Sequence, residues 1–135
     1  MAEQKKEKIT SVRDVAFVQD ALMWQDDKDT KKLKLNRLEL KFYCKDLTLA
    51  KRKDWRVPTY EEMITLIAFS KSNPASKDIV TKIESSQYWT STVSVLEKDK
   101  NWFVDFKYGK SDITSDLVQY NIRCVRDLST KEGDY

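Results

Sequence analysis

The chain has no histidine, and only two cysteines, two glycines and two prolines among its 135 residues. The missing imidazole excludes a Ser-His-Asp or Cys-His nucleophilic centre outright. It also leaves Cys44 and Cys124, far apart in sequence, without the partner that would join them in a zinc cluster. Acid–base chemistry near neutrality would fall on a tuned carboxylate, lysine or tyrosine. No stretch approaches the roughly 20 apolar residues of a membrane-spanning helix. The opening Met1-Ala2-Glu3-Gln4-Lys5-Lys6-Glu7-Lys8 is polar with no apolar run behind it, unlike a signal peptide. The expectation is either a cytosolic protein or one whose natural signal has been removed.

What is present suits one core. Hydrophobic residues make up 40% of the chain, with four Trp, six Tyr and five Phe, and each aromatic buries a large area. Lys+Arg 25 against Asp+Glu 22 leaves +3. A surface so charged yet so nearly balanced favours solubility over a dedicated nucleic-acid face, so no nucleic-acid partner is expected.

Residues 1–12 are charged and aperiodic, which predicts a flexible polar lead-in. Asp14–Gln19 and Leu22–Gln25 read as strands, and Asp26-Asp27-Lys28-Asp29-Thr30 as a polar turn. From Asn36 to Ala50 the period becomes helical, with Leu40, Tyr43, Cys44 and Leu47 on one face and Arg37, Lys41 and Lys45 opposite. Pro58 holds Val57 extended, and Thr59 with Glu62 forms a capping box that starts a second helix running to about Phe69. Asn73-Pro74 marks a turn within an irregular stretch 70–87. Strands follow at Tyr88–Val93, at Trp102–Tyr108 with Trp102, Val104, Phe106 and Tyr108 on one face, at Ile113-Thr114, and at Tyr120–Arg126. Residues 13–128 thus form one α+β domain, two helices packed on a small antiparallel sheet with long loops, followed by a polar tail at 129–135.

Taken in order, Leu22-Met23-Trp24-Gln25, Tyr43-Cys44 with Leu47, Trp55-Arg56-Val57-Pro58-Thr59, Tyr88-Trp89-Thr90-Ser91-Thr92, Trp102-Phe103-Val104-Asp105-Phe106 with Gly109, and Ile122-Arg123-Cys124-Val125-Arg126 resemble one family. It is the bacterial lectin-like family typified by the C-terminal domain of the Legionella collagen-like adhesin. The resemblance implies a C-type-lectin-like fold, distantly related to the formylglycine-generating sulfatase modifiers, and a bond between Cys44 and Cys124. Read without it, the two cysteines stay open as unpaired buried thiols of a cytosolic protein. The bond would place the domain in the periplasm, on the cell surface or outside the cell. The chain departs from the pattern in having few glycines, no Glu-Pro-Asn or Gln-Pro-Asp triplet of a calcium-dependent sugar site, and no collagen-like stalk.

Candidate chemistry is sparse. Asp26-Asp27-Lys28-Asp29 lacks the glycine and terminal Glu of a calcium loop and reads as a solvated turn. Adjacent Glu61 and Glu62 point about 100° apart on a helix, and Glu62 serves the cap. Trp24, Trp55, Trp89 and Trp102 read as structural anchors, together with Pro58, Thr59 and Glu62, and Arg56 reads as a fork that fixes its loop. Lys31-Lys32-Lys34, Lys51-Arg52-Lys53 and Lys107 with Lys110 are basic groups whose convergence the sequence does not show. Recognition in such a fold falls on the late segments Ser94–Asn101 and Gly109–Gln119, which nominates Lys107, Tyr108, Lys110, Asp112 and Tyr120. The expectation is a binding module rather than an enzyme, without cofactor or metal. Its ligand would be a glycan, a sulfated polyanion or a protein. The alternatives are a structural component of an envelope complex, with the lead-in as tether to a lipid anchor, and an enzyme related to the sulfatase modifiers.

Overall fold

The computed structural model describes residues 14–128; the expected lead-in at 1–12 and the tail at 129–135 lie outside the described residues. Among the described residues, eight strands and three short helices follow in order: β1 Ala16–Gln19, β2 Leu22–Gln25, α1 Lys28–Lys32, β3 Lys34–Leu35, α2 Leu40–Asp46, α3 Tyr60–Ile64, β4 Gln87–Val93, β5 Asn101–Asp105, β6 Lys110–Thr114, β7 Tyr120–Asn121 and β8 Val125–Asp127. The class is α+β as expected, but the strands form two sheets rather than one. The smaller has the order β1-β2-β8 and the larger β3-β7-β4-β5-β6. Pairing is antiparallel except where Tyr88 of β4 meets Asn121 of β7 in parallel.

The larger sheet divides the interior. Side chains alternate across a strand, so Tyr88 and Trp89, adjacent on β4, enter different cores. Tyr88 joins Phe17, Trp24, Met63, Leu66, Val104, Phe106 and Val125. Trp89 joins Leu40, Cys44, Trp55, Ile122 and Cys124. Cys44 and Cys124 are bonded, with Cα atoms 5.7 Å apart, and the bond ties the inner face of α2 to the segment between β7 and β8.

Several elements differ from the sequence reading. Asp26-Asp27-Lys28-Asp29 is not a solvated turn: Asp27 caps α1, accepting from the Asp29 and Thr30 N–H groups, and Thr30 returns a bond to the cap. Asp26 is 2% exposed. The expected helix from Asn36 to Ala50 contracts to α2, because Asn36 and Glu39 bond each other reciprocally in a turn before it and Leu47 is already extended after it. The expected run to Phe69 stops at Ile64, where the Thr65 hydroxyl donates to the Glu62 carbonyl and Leu66 and Ile67 tighten to Met63 and Ile64. The strand expected over Tyr120–Arg126 is split, since Cys124 spends its N–H on the Gln25 side chain and its carbonyl on the Gln25 N–H. The inward row from Trp102 to Tyr108 also breaks. Val104 and Phe106 are buried, Trp102 is half-buried, and Tyr108 is 59% exposed, because Asp105 accepts from the Lys107 and Gly109 N–H groups and turns the chain.

Candidate functional site

Helix α2 organises the exposed chemistry of the domain. Its inner face is set by Leu40 and Cys44, both buried. With about 100° between successive residues, Lys41 and Lys45 line one flank of the helix, Phe42 its outward crest and Asp46 the other flank; in the turn before it Arg37 joins the first flank, Leu38 the crest and Glu39 the second. The crest is open: Leu38 is 62% and Phe42 63% exposed.

Each flank borders a groove. The first, of about 610 Å³, has an apolar floor that includes Leu40, Trp55, Val57 and Val93, and its charged lining is wholly basic: Arg37, Lys41, Lys45 and Arg56. The second, of about 720 Å³, is lined by Leu35, Phe42, Tyr43 and Leu47 among others, and its charged lining is wholly acidic: Glu39 and Asp46. Leu38 borders both.

The first groove is held from behind. Arg37 gathers three segments, donating to Asn101 Oδ1, to Asp116 Oδ1 at 2.9 Å and to the Lys98 carbonyl at 3.4 Å. It thereby brings the β4–β5 loop and the segment after β6 to the start of α2. Arg56 forks onto Glu62 at 2.8 and 2.7 Å and reaches Asp127 Oδ1 at 2.9 Å. Hydrogen bonding to these carboxylates keeps the guanidinium firmly charged, and the same bond from Arg56 holds Glu62 below the usual carboxylate value against the opposing effect of burial. Lys41 and Lys45 are exposed.

A second constellation lies inside. Burial alone would raise the Asp26 carboxyl, but the Arg123 guanidinium at 2.9 Å, with hydrogen bonds from Thr81 and the Lys82 N–H, outweighs it and holds Asp26 below its ordinary value. Arg123 also donates to the Gln25 and Lys82 carbonyls. Tyr43 donates to Asp29 at 3.2 Å and accepts from Gln25 at 2.8 Å; burial, with Asp29 and Asp27 nearby, keeps its phenol protonated. These bonds join the end of β2, the segment 81–82 and the chain before β8, and tie α2 to β2 and α1, so the arrangement is a clasp.

The nominated residues fall in different places. Lys107, Tyr108 and Lys110 sit at the turn of the β5–β6 hairpin, where the Lys107 ammonium lies 5.4 Å from the Tyr108 ring centre. Asp112 lies further along the edge strand β6, opposite Phe103. Tyr120 is separate from the hairpin turn, half-buried against Trp89 and Phe103 with ring centres 5.3 and 4.9 Å away. None of these five lines either groove. Trp24 is buried and stacked on Phe17; Trp89 donates to the Leu35 carbonyl at 2.7 Å. Trp55 donates to the Leu49 and Arg52 carbonyls, and Trp102 leans on Tyr60. Pro58 is buried, and its carbonyl accepts from Ser91; Thr59 caps α3. Sequence reasoning passed over the basic groove although its signal was present, as Arg37, Lys41 and Lys45 recur every four residues. Among the described residues no helix is long and apolar enough to cross a membrane, and no three of His, Cys, Asp or Glu are grouped to hold a metal ion.

No curated protein matches the sequence. The profile of the Lcl C-terminal domain matches residues 13–126, a span that includes both cysteines, α2 and every strand up to β8. The chain belongs to the Lcl C-terminal domain family, a bacterial adhesin-like group.

Proposed function

We propose that the domain is an extracytoplasmic binding module without catalytic role, and that the basic groove beside α2 takes an anionic glycan bearing sulfate or carboxylate groups. One observation carries this reading: Arg37, Lys41, Lys45 and Arg56 line the groove with no acidic residue among them, over a floor containing Trp55 and Val57. Lys41 and Lys45, four residues apart on the helix, stand about 6 Å from one another along its axis, a spacing suited to successive anionic substituents on a chain. The accessible part of the apolar floor, Val57 and Val93, suits the weakly polar face of a sugar ring. Arg37 and Arg56 are fixed by carboxylates, whereas the two exposed lysines remain available as the working charges. An extracytoplasmic setting agrees with the adhesin-like family and with the disulfide, which also commits both sulfurs and so weighs against chemistry of the sulfatase-modifier kind.

The test is retention on immobilised heparin and on neutral dextran across a salt series. Heparin retention should weaken with salt, and Lys41→Ala/Lys45→Ala should elute earlier than the parent, with no retention on dextran. A variant retained as strongly as the parent refutes the groove; a parent that flows through at low salt refutes the ligand class. A protein contact within an envelope assembly is the second reading. It is favoured by Val95, Leu96 and Leu117, which are 87%, 93% and 92% exposed on the loops that Arg37 gathers.

A further inference from the structure

We infer that the outer surface of α2 is a self-association surface whose occupant is a second copy of this chain. The charge pattern points to that occupant. The helix and the turn before it present an apolar crest, Phe42 and Leu38, between a groove whose charged residues are all basic and a groove whose charged residues are all acidic. The acidic groove is itself walled by Leu35, Phe42 and Leu47, which widens the apolar surface beside the crest.

Symmetry decides the arrangement. Two copies that meet face to face share a two-fold axis lying in the plane between them. An axis perpendicular to α2 would run the two helices antiparallel and set basic flank against basic flank. An axis along α2 runs them parallel and exchanges the flanks, so that Lys41 and Lys45 of each copy face Glu39 and Asp46 of the other. In that register the crests meet each other between the two rows of opposite charge. Charge complementarity therefore selects the parallel arrangement, and the two apolar side chains of each crest leave water together.

The experiment is sedimentation velocity over a concentration series, in buffer of low ionic strength and without polyanion. The parent should pass from monomer to dimer. One variant makes the surface predominantly acidic, Lys41→Glu/Lys45→Glu; another makes it predominantly basic, Asp46→Lys/Thr48→Lys, keeping the Asn36–Glu39 contact intact. Each alone should shift the monomer–dimer midpoint at least tenfold towards monomer. An equimolar mixture should dimerise again, because the acidic surface of one then meets the basic surface of the other. Leu38→Gln/Phe42→Gln should be monomeric, with thermal unfolding followed for every variant. A parent that stays monomeric at all concentrations overturns the proposal, as do charge variants that self-associate like the parent or a mixture that fails to recover.

Discussion

Removal of the carboxylate from Asp26 tests the interior clasp most directly. Asp26 and Arg123 are both buried, their side chains 3% and 1% exposed, and the carboxylate also accepts from the Thr81 hydroxyl at 2.6 Å and the Lys82 N–H at 2.9 Å. Asp26→Ala strands a buried guanidinium without its counter-charge, which costs about 3–5 kcal/mol, and takes the acceptor from three further donors, the Thr81 hydroxyl and the Thr81 and Lys82 N–H groups. Against a total stability of about 5–15 kcal/mol, the variant should be marginal at pH 7 in urea unfolding followed by tryptophan fluorescence. Asp26→Leu/Arg123→Met removes both charges together and should recover much of the loss. Because the folded-state carboxyl lies below its ordinary value, the contribution of Asp26 is complete above its unfolded pKa of about 3.9 and disappears as pH falls through the folded value. Glu62 and Asp127 are shifted in the same direction, so Asp26→Asn should flatten the acid decline without abolishing it. A loss below about 0.5 kcal/mol for Asp26→Ala, within the range of an ordinary surface change, would refute the clasp. An acid decline as steep in Asp26→Asn as in the parent would do the same.

Two further outcomes follow from the scaffold. Cys44→Ser/Cys124→Ser opens a loop spanning a sequence separation of 80, worth about 4.5 kcal/mol in the chain-entropy relation, so urea midpoints of parent and variant should differ widely without reductant and converge with it. Gly109 has φ +77 and a built Cβ would meet Ile67 Cγ2 at 3.2 Å, so Gly109→Ala should destabilise by about 1–2 kcal/mol, measured in the same assay.

What was legible in the sequence was local or covalent. Thr59 and Glu62 announce α3 because a capping box needs only residues three apart, and Pro58 fixes the approach to it. The Trp24, Trp55 and Trp89 anchors were recognisable by residue type. Helix α1 was missed because its box is Asp27 with Thr30 and five residues offer no apolar period. Arg123 and Arg126 flank Cys124 in the sequence, and both are buried. Asp26 lies 97 positions from Arg123 and Asp54 lies 72 from Arg126, and no periodicity encodes contacts at such separations. The basic groove was hidden for the same reason. The α2 lysines were visible, but Arg56 and the Val93 floor reach them only through folding.

The short length of α2 explains why so much of the structure converges on it. A helix of seven residues, Leu40–Asp46, has no stability of its own in water. Here Cys44 is bonded to the chain before β8, Leu40 is buried, Tyr43 is hydrogen-bonded to Gln25 and Asp29, and Arg37 binds two loops just before the helix. These restraints act on its inner face and its beginning, leaving Lys41, Lys45, Leu38 and Phe42 outward on a rigid support. Preorganisation of that kind lowers the ordering cost of any ligand the surface takes. It also makes the two proposed uses of the helix rivals, since an anionic glycan and a second copy both draw on Lys41 and Lys45. Linkage requires the rivalry to be reciprocal: by whatever factor the glycan weakens self-association, self-association weakens the glycan.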